Sequence, residues 1–534
     1  MALRDMALRS IDTMKKLNRF LTTTTALLLG ACSLIPDYHR PPAPVAATYP
    51  SGPAYRNPEL TGQKGATQTL RTADEIGWRS FFTDPQLQEL IALALKNNRD
   101  LRVAALNVAA AEAQYRVQRS DLFPKINLSG EQLVERVPST VASGGSIASS
   151  SGATGSGGLN SGLVSSARSA SISRYYTAGL GFTSYEIDLF GRLRSLDEQA
   201  FQSYLHYDEA RKSTQISLVA QVANAYLTLL ADRELLRLTQ ETLQSQQNSY
   251  NLTKVTFDAG STTALALRQA ETAVDTARSN LAQYTRQVAQ DENELTLLIG
   301  GPLPKALPKS RDFDDQKLLA DLPAGLPSTL LERRPDILAA EHSLVGANAN
   351  IGAARAAFFP AVSLTGQFGT ASNSLDNLFT GRSRTWTFSP SISVPIFNAG
   401  ELQADLDLAK IQKNVQIASY EKAIQTAFQE VSNALAARGT LDDQIQAQQA
   451  LVNAYSDSYN LSMLRFRAGV DNYLSALDSQ RNLYNAQQSL IAIRLQRLSN
   501  LVTLYKALGG GWTADDVAHQ PVTPGEGMRL PVNG

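Results

Sequence analysis

The chain has 534 residues, 43% of them hydrophobic and 18% charged, with 49 basic and 49 acidic side chains that cancel to a net charge of zero. Length alone would allow three or four ordinary domains. The balanced charge, with no Lys/Arg run, argues against a nucleic-acid binder, and a single cysteine, Cys32, excludes an internal disulfide. The four histidines, His39, His206, His342 and His519, are scattered, so no His/Cys metal site is expected. No phosphate-binding, nucleophile-elbow or zinc-protease motif occurs, so neither a cofactor nor an enzymatic activity is expected.

The chain begins with Lys15, Lys16 and Arg19 ahead of the apolar run LTTTTALLLGA, which ends at Cys32. A basic region followed by a short apolar region reads as a secretory signal, too short to span a bilayer. Met14 offers a second possible start. The ending Leu29 to Cys32, LGAC, looks like a bacterial lipoprotein signal, with Cys32 as the acylated first residue of the mature chain; an ordinary signal with an incidental cysteine is the plainer alternative. Ser33 stands where an aspartate would hint at inner-membrane retention, which points to the outer membrane. A Pro-rich stretch, PDYHRPPAPVAATYP, follows at 36–50. Beyond the signal no run of 18 apolar residues occurs, so any membrane crossing by the mature chain must use β-strands.

Two halves of the chain repeat. Asp100, Phe123, Pro124 and Gly130 recur as Asp336, Phe359, Pro360 and Gly366, at an offset of 236. Gly191, Phe257 and Gly260 recur as Gly400, Phe466 and Gly469, at an offset of 209. The 27 extra residues of the first copy fall in the Gly/Ser-rich stretch 139–171, which reads as a flexible loop. The expected organisation is a signal at 1–31, a lipidated Pro-rich segment at 32–76, a first repeat at 77–301, a linker at 302–332, a second repeat at 333–510 and a tail at 511–534.

Each copy opens with an Ala-rich helix, over 100–121 and 336–357, that stops at a Phe-Pro pair. Two strands then follow, near 124–137 and 175–190 in the first copy and near 360–372 and 384–397 in the second. They alternate with period two: Val362, Leu364 and Phe368 oppose Ser363, Thr365 and Gln367, and Ala178, Leu180 and Phe182 oppose Gly179, Gly181 and Thr183. Such alternation suits a transmembrane barrel wall, and equally a soluble antiparallel sheet with one wet face.

Next come 68 residues without Pro in each copy, 192–259 and 401–468, interrupted only by Gly439. Each predicts a helix of ~100 Å at ~1.5 Å per residue, more than one globular core requires. Return helices are expected over 262–299 and 470–508. The second carries a heptad seam of Leu474, Leu477, Tyr484, Ile491, Leu495, Leu498, Val502 and Tyr505, with Arg481 and Gln488 as polar exceptions, and most simply packs on its own long helix. Four strands cannot close a barrel alone. Two chains would give eight, filled by side chains, and three would give twelve with room for a lumen, so a homotrimer is expected.

The repeat order, with GWRSFFTDPQLQELIALALKNNRDLR at 77–102, RFRAGVDNYLSALDSQRNLYNAQ at 465–487 and LYKALGGGW at 504–512, resembles the TolC-like outer-membrane factors of tripartite efflux systems, nearest to their OprM/NodT-type lipoprotein branch. The resemblance covers essentially the whole mature chain. It implies a mainly α, internally duplicated fold with a transmembrane β-barrel. Each protomer of a trimer would give four strands to a 12-stranded barrel above a long α-helical periplasmic barrel and a mixed equatorial domain. It further implies a passive exit duct, in the outer membrane and anchored there by acylated Cys32, that works with a periplasmic adaptor and an inner-membrane transporter of the resistance-nodulation-division type. A lipid-anchored coiled-coil scaffold or adhesin without a pore is the competing reading.

The candidate site is the pair of turns. Phe257, Gly260, Phe466 and Gly469 mark hairpin turns in which glycine supplies the left-handed cap; the resemblance implies that the adaptor docks there. The charges around the second turn do not repeat. At offset 209 Arg465 stands opposite Thr256, Asp471 opposite Thr262 and Asp478 opposite Gln269, while Leu474 keeps Leu265. Asp471, Leu474 and Asp478 are spaced to share one helix face. In a trimer that face would place acidic and apolar rings at a narrow periplasmic gate, with Arg465 placed to pair with an aspartate and hold neighbouring hairpins together. The resemblance also puts an acidic residue at Asp478 and a constriction at Leu474. Ser475 departs from those relatives that carry a second aspartate there. The bland alternative is a solvated coiled-coil surface.

Overall fold

A computed structural model describes residues 33–55, 73, 76–137, 171–304, 306–316, 318 and 333–511. The signal, Cys32, most of the Gly/Ser stretch and of the 302–332 linker, and the tail beyond 511 lie outside them. The described residues form two compact units, each drawing on both repeats. One takes 33–37, 114–200 and 347–411, and the other takes the remainder.

The first unit holds the sheet. Strands β1 (Asn127–Val137), β2 (Ser171–Ile187), β3 (Ala361–Ser372) and β4 (Arg384–Ser393) form an antiparallel meander in the order β1-β2-β3-β4. β1 begins after the expected 124, β2 runs earlier than the expected 175–190, and β4 stops at Ser393, short of 397 and just ahead of Pro395. Pro390, which has no backbone N–H to give, stands in β4, the last strand of this chain's own sheet. Across β3 and β4, Val362 faces Ile392, Gly366 faces Phe388 and Phe368 faces Trp386. On the opposite face the Ser363 and Ser391 hydroxyls lie 2.7 Å apart.

Alternation alone does not carry β2 to its end. Its register against β3 slips by one between Phe182 and Tyr185, with Ser184 at φ 54°. This bulge moves odd residues onto the face that even residues held, so Tyr185 and Ile187 join Leu364 and Val362, and Glu186 turns to the side of Ser363. Close approach of β2 and β3 depends on Gly369, where a Cβ would lie 2.3 Å from the Ala178 carbonyl oxygen.

The second unit is helical. In chain order the helices of both units are α1 (Trp78–Phe81), α2 (Pro85–Asn97), α3 (Arg99–Ser120), α4 (Arg192–Asp258), α5 (Ala264–Leu298), α6 (Pro335–Ala356), α7 (Glu401–Arg467) and α8 (Tyr473–Ala507). α4 and α7 each run unbroken for 67 residues, as expected of sequence nearly free of Gly and Pro. The core of the helical unit gathers around Phe81, which stacks on Tyr505 with ring centroids 4.0 Å apart, and around Leu87, Ile91, Tyr226 and Val502. Asp84 caps α2 through the Gln86 amide (2.8 Å) and also accepts from the Tyr226 hydroxyl (2.8 Å) and the Gln316 amide group (2.7 Å). Burial of Tyr226 and its bond to that carboxylate push its phenol pKa up.

The seam of α8 does more than pair with α7. Val452, Ala486 and Leu490 form the α7–α8 contact. Tyr484 bonds Thr239 of α4 (2.8 Å) and Gln488 bonds Tyr284 of α5 (2.8 Å), so α8 joins the two hairpins. Leu474, expected in the seam, is half exposed instead, because α8 has only just begun there.

Candidate functional site: the helical turns

Both turns are built the same way. At the end of α4 the Gly260 amide donates to the Phe257 carbonyl (2.8 Å) and the Ser261 amide to the Thr256 carbonyl (2.8 Å). At the end of α7 the Gly469 amide donates to Phe466 and the Val470 amide to Arg465, both at 3.0 Å. This paired pattern needs a left-handed residue, and Gly260 and Gly469 supply it at φ 71° and 70°. Each return helix is then capped, α5 by Thr263 on the Ala266 amide (3.2 Å) and α8 by Asn472 on the Ser475 amide (3.4 Å).

The charges sit on this frame. Arg465 grips Asp471 with two bonds, Nε to Oδ2 at 2.6 Å and Nη2 to Oδ1 at 3.1 Å, and this bond holds the Asp471 carboxyl below its ordinary range. The bond closes within one turn, not between hairpins. Asp471 also lies outside α8, since the extended Asn472 cap separates it from Tyr473. The shared helix face expected for Asp471, Leu474 and Asp478 therefore reduces to Leu474 and Asp478. Asp478 pairs with Arg481, one turn on.

The phenylalanines are partly covered by their own hairpins. Phe466 lies on Tyr473, with centroids 5.4 Å apart, and Tyr473 is buried among Ala270, Ala476, Tyr250 and Leu477. Phe257 is half buried. The large apolar side chains that the turns expose are aliphatic. Leu252, Val255 and Leu265 in the first hairpin and their repeat partners Leu461, Leu464 and Leu474 in the second are 42–68% exposed, as is Val470 at 63%. The repeat offset was enough to find these pairs in the sequence, but their exposure was not legible there. The site has exposed apolar knobs common to both turns and an ion-pair clasp on one. Among the described residues no cluster could hold a metal ion, and no helix is long and apolar enough to cross a membrane.

A family model described as outer membrane efflux protein matches residues 90–301 and 326–510. The chain belongs to the outer membrane efflux protein family. Its fold is accordingly the TolC-like one, and its work is that of an outer-membrane efflux channel. It is 52% identical, over 91% of its length and 94% of theirs, to two Pseudomonas putida proteins. They are the toluene efflux pump outer membrane protein TtgC and the antibiotic efflux pump outer membrane protein ArpC. The crystal structure of the open state of the Neisseria gonorrhoeae MtrE outer membrane channel matches with a TM-score of 0.76 and 37% identity, over 90% of this chain and 98% of that one.

Proposed function

We propose that this efflux channel is the passive exit duct of a tripartite pump. It would stand in the outer membrane as a homotrimer, receive a periplasmic adaptor at its helical turns, and be driven by an inner-membrane transporter of the resistance-nodulation-division type. The observation that carries the assembly is the sheet. β1 and β4 are its two edges, and one face bears Leu128, Leu180, Phe368, Trp386 and Ile392, all exposed. Open edges and free backbone groups cannot stand in lipid, so the edges must be closed by other copies, and three copies give the smallest barrel with a lumen. No catalytic step is needed, because the partner supplies the energy.

The reading extends to the gate. Leu474 and Asp478 would line the narrow periplasmic end, and the Arg465–Asp471 clasp would keep the second turn of each protomer in its closed form. The aliphatic knobs beside Gly260 and Gly469 would meet the adaptor. Cys32, outside the described residues, would carry the acyl anchor. Two relatives of equal identity are named for toluene and for antibiotic efflux, so cargo choice is assigned to the inner-membrane partner.

The test is planar-bilayer recording of purified protein of established stoichiometry. Trimers should conduct, with the conductance raised by Leu474→Ala plus Asp478→Ala. Folded trimers without a conductance would overturn the duct, and an unchanged conductance in the double variant would overturn the gate. Metabolic labelling with palmitate should mark the wild type and not Cys32→Ala; equal labelling of both removes the anchor.

A further inference from the structure

A second unrepeated pair of charges lies in the first hairpin, away from its turn. Asp232 of α4 and Asp291 of α5 stand at one level of the hairpin, because their chain neighbours Arg233 and Glu292 pair across it at 2.8 Å. Asp291 is only 5% exposed, and its Oδ2 has no hydrogen-bond donor among the described residues. Asp232 is partly exposed and gives the pair a path to solvent. Two ionised carboxylates are acceptors only, so they can bond to each other only if one of them carries a proton.

The surroundings favour that proton. Burial first, and then Asp232, Glu294 and Glu292, push the Asp291 carboxyl up to about 7. The neighbouring basic group, Arg233 of α4, is engaged by Glu292 of α5 at 2.8 Å. Glu234 of α4 is held by Arg237. Tyr284 of α5, which feels the Asp232 charge, is bonded by Gln488 of α8, whose Tyr484 lies near it.

The fold does not demand the pair. At the repeat offset of 209, Asp232 becomes Leu441, which is buried, and Asp291 becomes Asn500, whose amide group donates to the Ala434 carbonyl (2.9 Å). The second hairpin holds together with no ionisable group at either position.

We infer that Asp232 and Asp291 share one proton and form a pH-responsive latch between α4 and α5, closed while the proton is held and loosened when it leaves. Loss of the proton to solvent leaves two negative charges side by side in a largely buried site. The folded chain keeps its proton from the ordinary value of 3.8 up to about 7, whereas the unfolded chain releases it at the lower value. The folded state therefore binds more protons in that window. The latch's contribution to stability is fully present below the window, falls as pH rises through it, and is level above.

Infrared spectroscopy of the purified full chain should show a protonated-carboxyl band that persists above pH ~5, where ordinary carboxylates have ionised. It should titrate near 7 and be missing from Asp291→Asn. Over the same window the wild-type melting temperature should fall relative to Asp291→Asn and then run parallel to it. Asp232→Leu with Asp291→Asn, which copies the second hairpin, should lose the same slope. The absence of such a band in the wild type, its persistence in Asp291→Asn, or a wild-type slope in either variant overturns the latch. If the double variant does not fold, the infrared result on Asp291→Asn decides alone.

Discussion

Arg465 and Asp471 close the second turn on itself: the guanidinium spans from the last turn of α7 to the residue before the α8 cap, bidentate, with its shorter bond at 2.6 Å. The turn's backbone is complete without them, because the first turn makes the same two amide bonds with Thr256 and Thr262 at these positions. The clasp is an addition to a finished fold, and its removal should change gating more than stability.

Arg465→Ala and Asp471→Asn should each raise the conductance of trimers in planar bilayers while melting temperatures stay within a degree or two, since exposed pairs contribute little to stability. The exchange Arg465→Asp with Asp471→Arg should restore the wild-type level. Conductance that ignores all three variants would remove the clasp from the gate.

The clasp also has a pH signature. Asp471 is held below its ordinary value of 3.8 by Arg465. Its contribution is present above that value and is lost as pH falls through the depressed one. Acidification below the ordinary carboxylate range should open wild-type channels, and Asp471→Asn should respond less. The direction is opposite to that of the Asp232–Asp291 latch, so the two effects separate on one titration.

Gly469→Ala and Gly260→Ala should each cost about 1–2 kcal/mol, the usual penalty of a left-handed conformation with a Cβ, measured as lowered thermal stability. Gly381→Ala, where a Cβ meets nothing within 4 Å and φ is not left-handed, is the matched control and should be close to neutral. Equal losses at all three sites would refute the assignment of the cap.

Gly369→Ala should hinder folding of the sheet, because its Cβ would fall 2.3 Å from the Ala178 carbonyl oxygen and force β2 from β3. Overpacking of this kind costs roughly 1–3 kcal/mol. Heat-modifiable mobility on gels should reveal a smaller folded fraction.

Arg334 should be the most costly of these sites. It is buried and bonds Asp336 (2.6 Å), Glu430 (2.9 Å) and the Ala507 carbonyl (3.0 Å). Burial opposes its charge, but the two carboxylates outweigh that and hold its pKa up. Arg334→Met should cost about 2–3 kcal/mol, less than the ~3–5 of a fully buried pair because both carboxylates keep part of their hydration. Denaturant unfolding measures it.

How much of this was legible in the sequence follows from the range of each interaction. The duplication, the long helices, the return helices, the alternating strands and the glycines of the two turns are local or periodic features. They depend on backbone propensity and on side-chain spacing along one element, so the sequence by itself determined them. It also determined that the charges at the second turn have no counterpart at the first, because that is a comparison of letters.

Only the tertiary structure decided which atoms meet. The bulge between Phe182 and Tyr185 turns Tyr185 and Ile187 to the apolar face through pairing with β3, a strand that follows more than a hundred residues later. Asp471 left the expected helix face because Asn472 takes the cap, and the cap is chosen by side-chain geometry that spacing does not report. Phe466 and Phe257 share a motif, but Phe466 packs on Tyr473, which is buried beside Ala270 of the other hairpin, and the aliphatic neighbours are left facing outward. Asp232 and Asp291 lie 59 residues apart on two helices, and nothing in either segment marks them. Their common level depends on the axial register of α4 against α5, which is fixed by packing along the whole hairpin rather than by any one stretch of sequence.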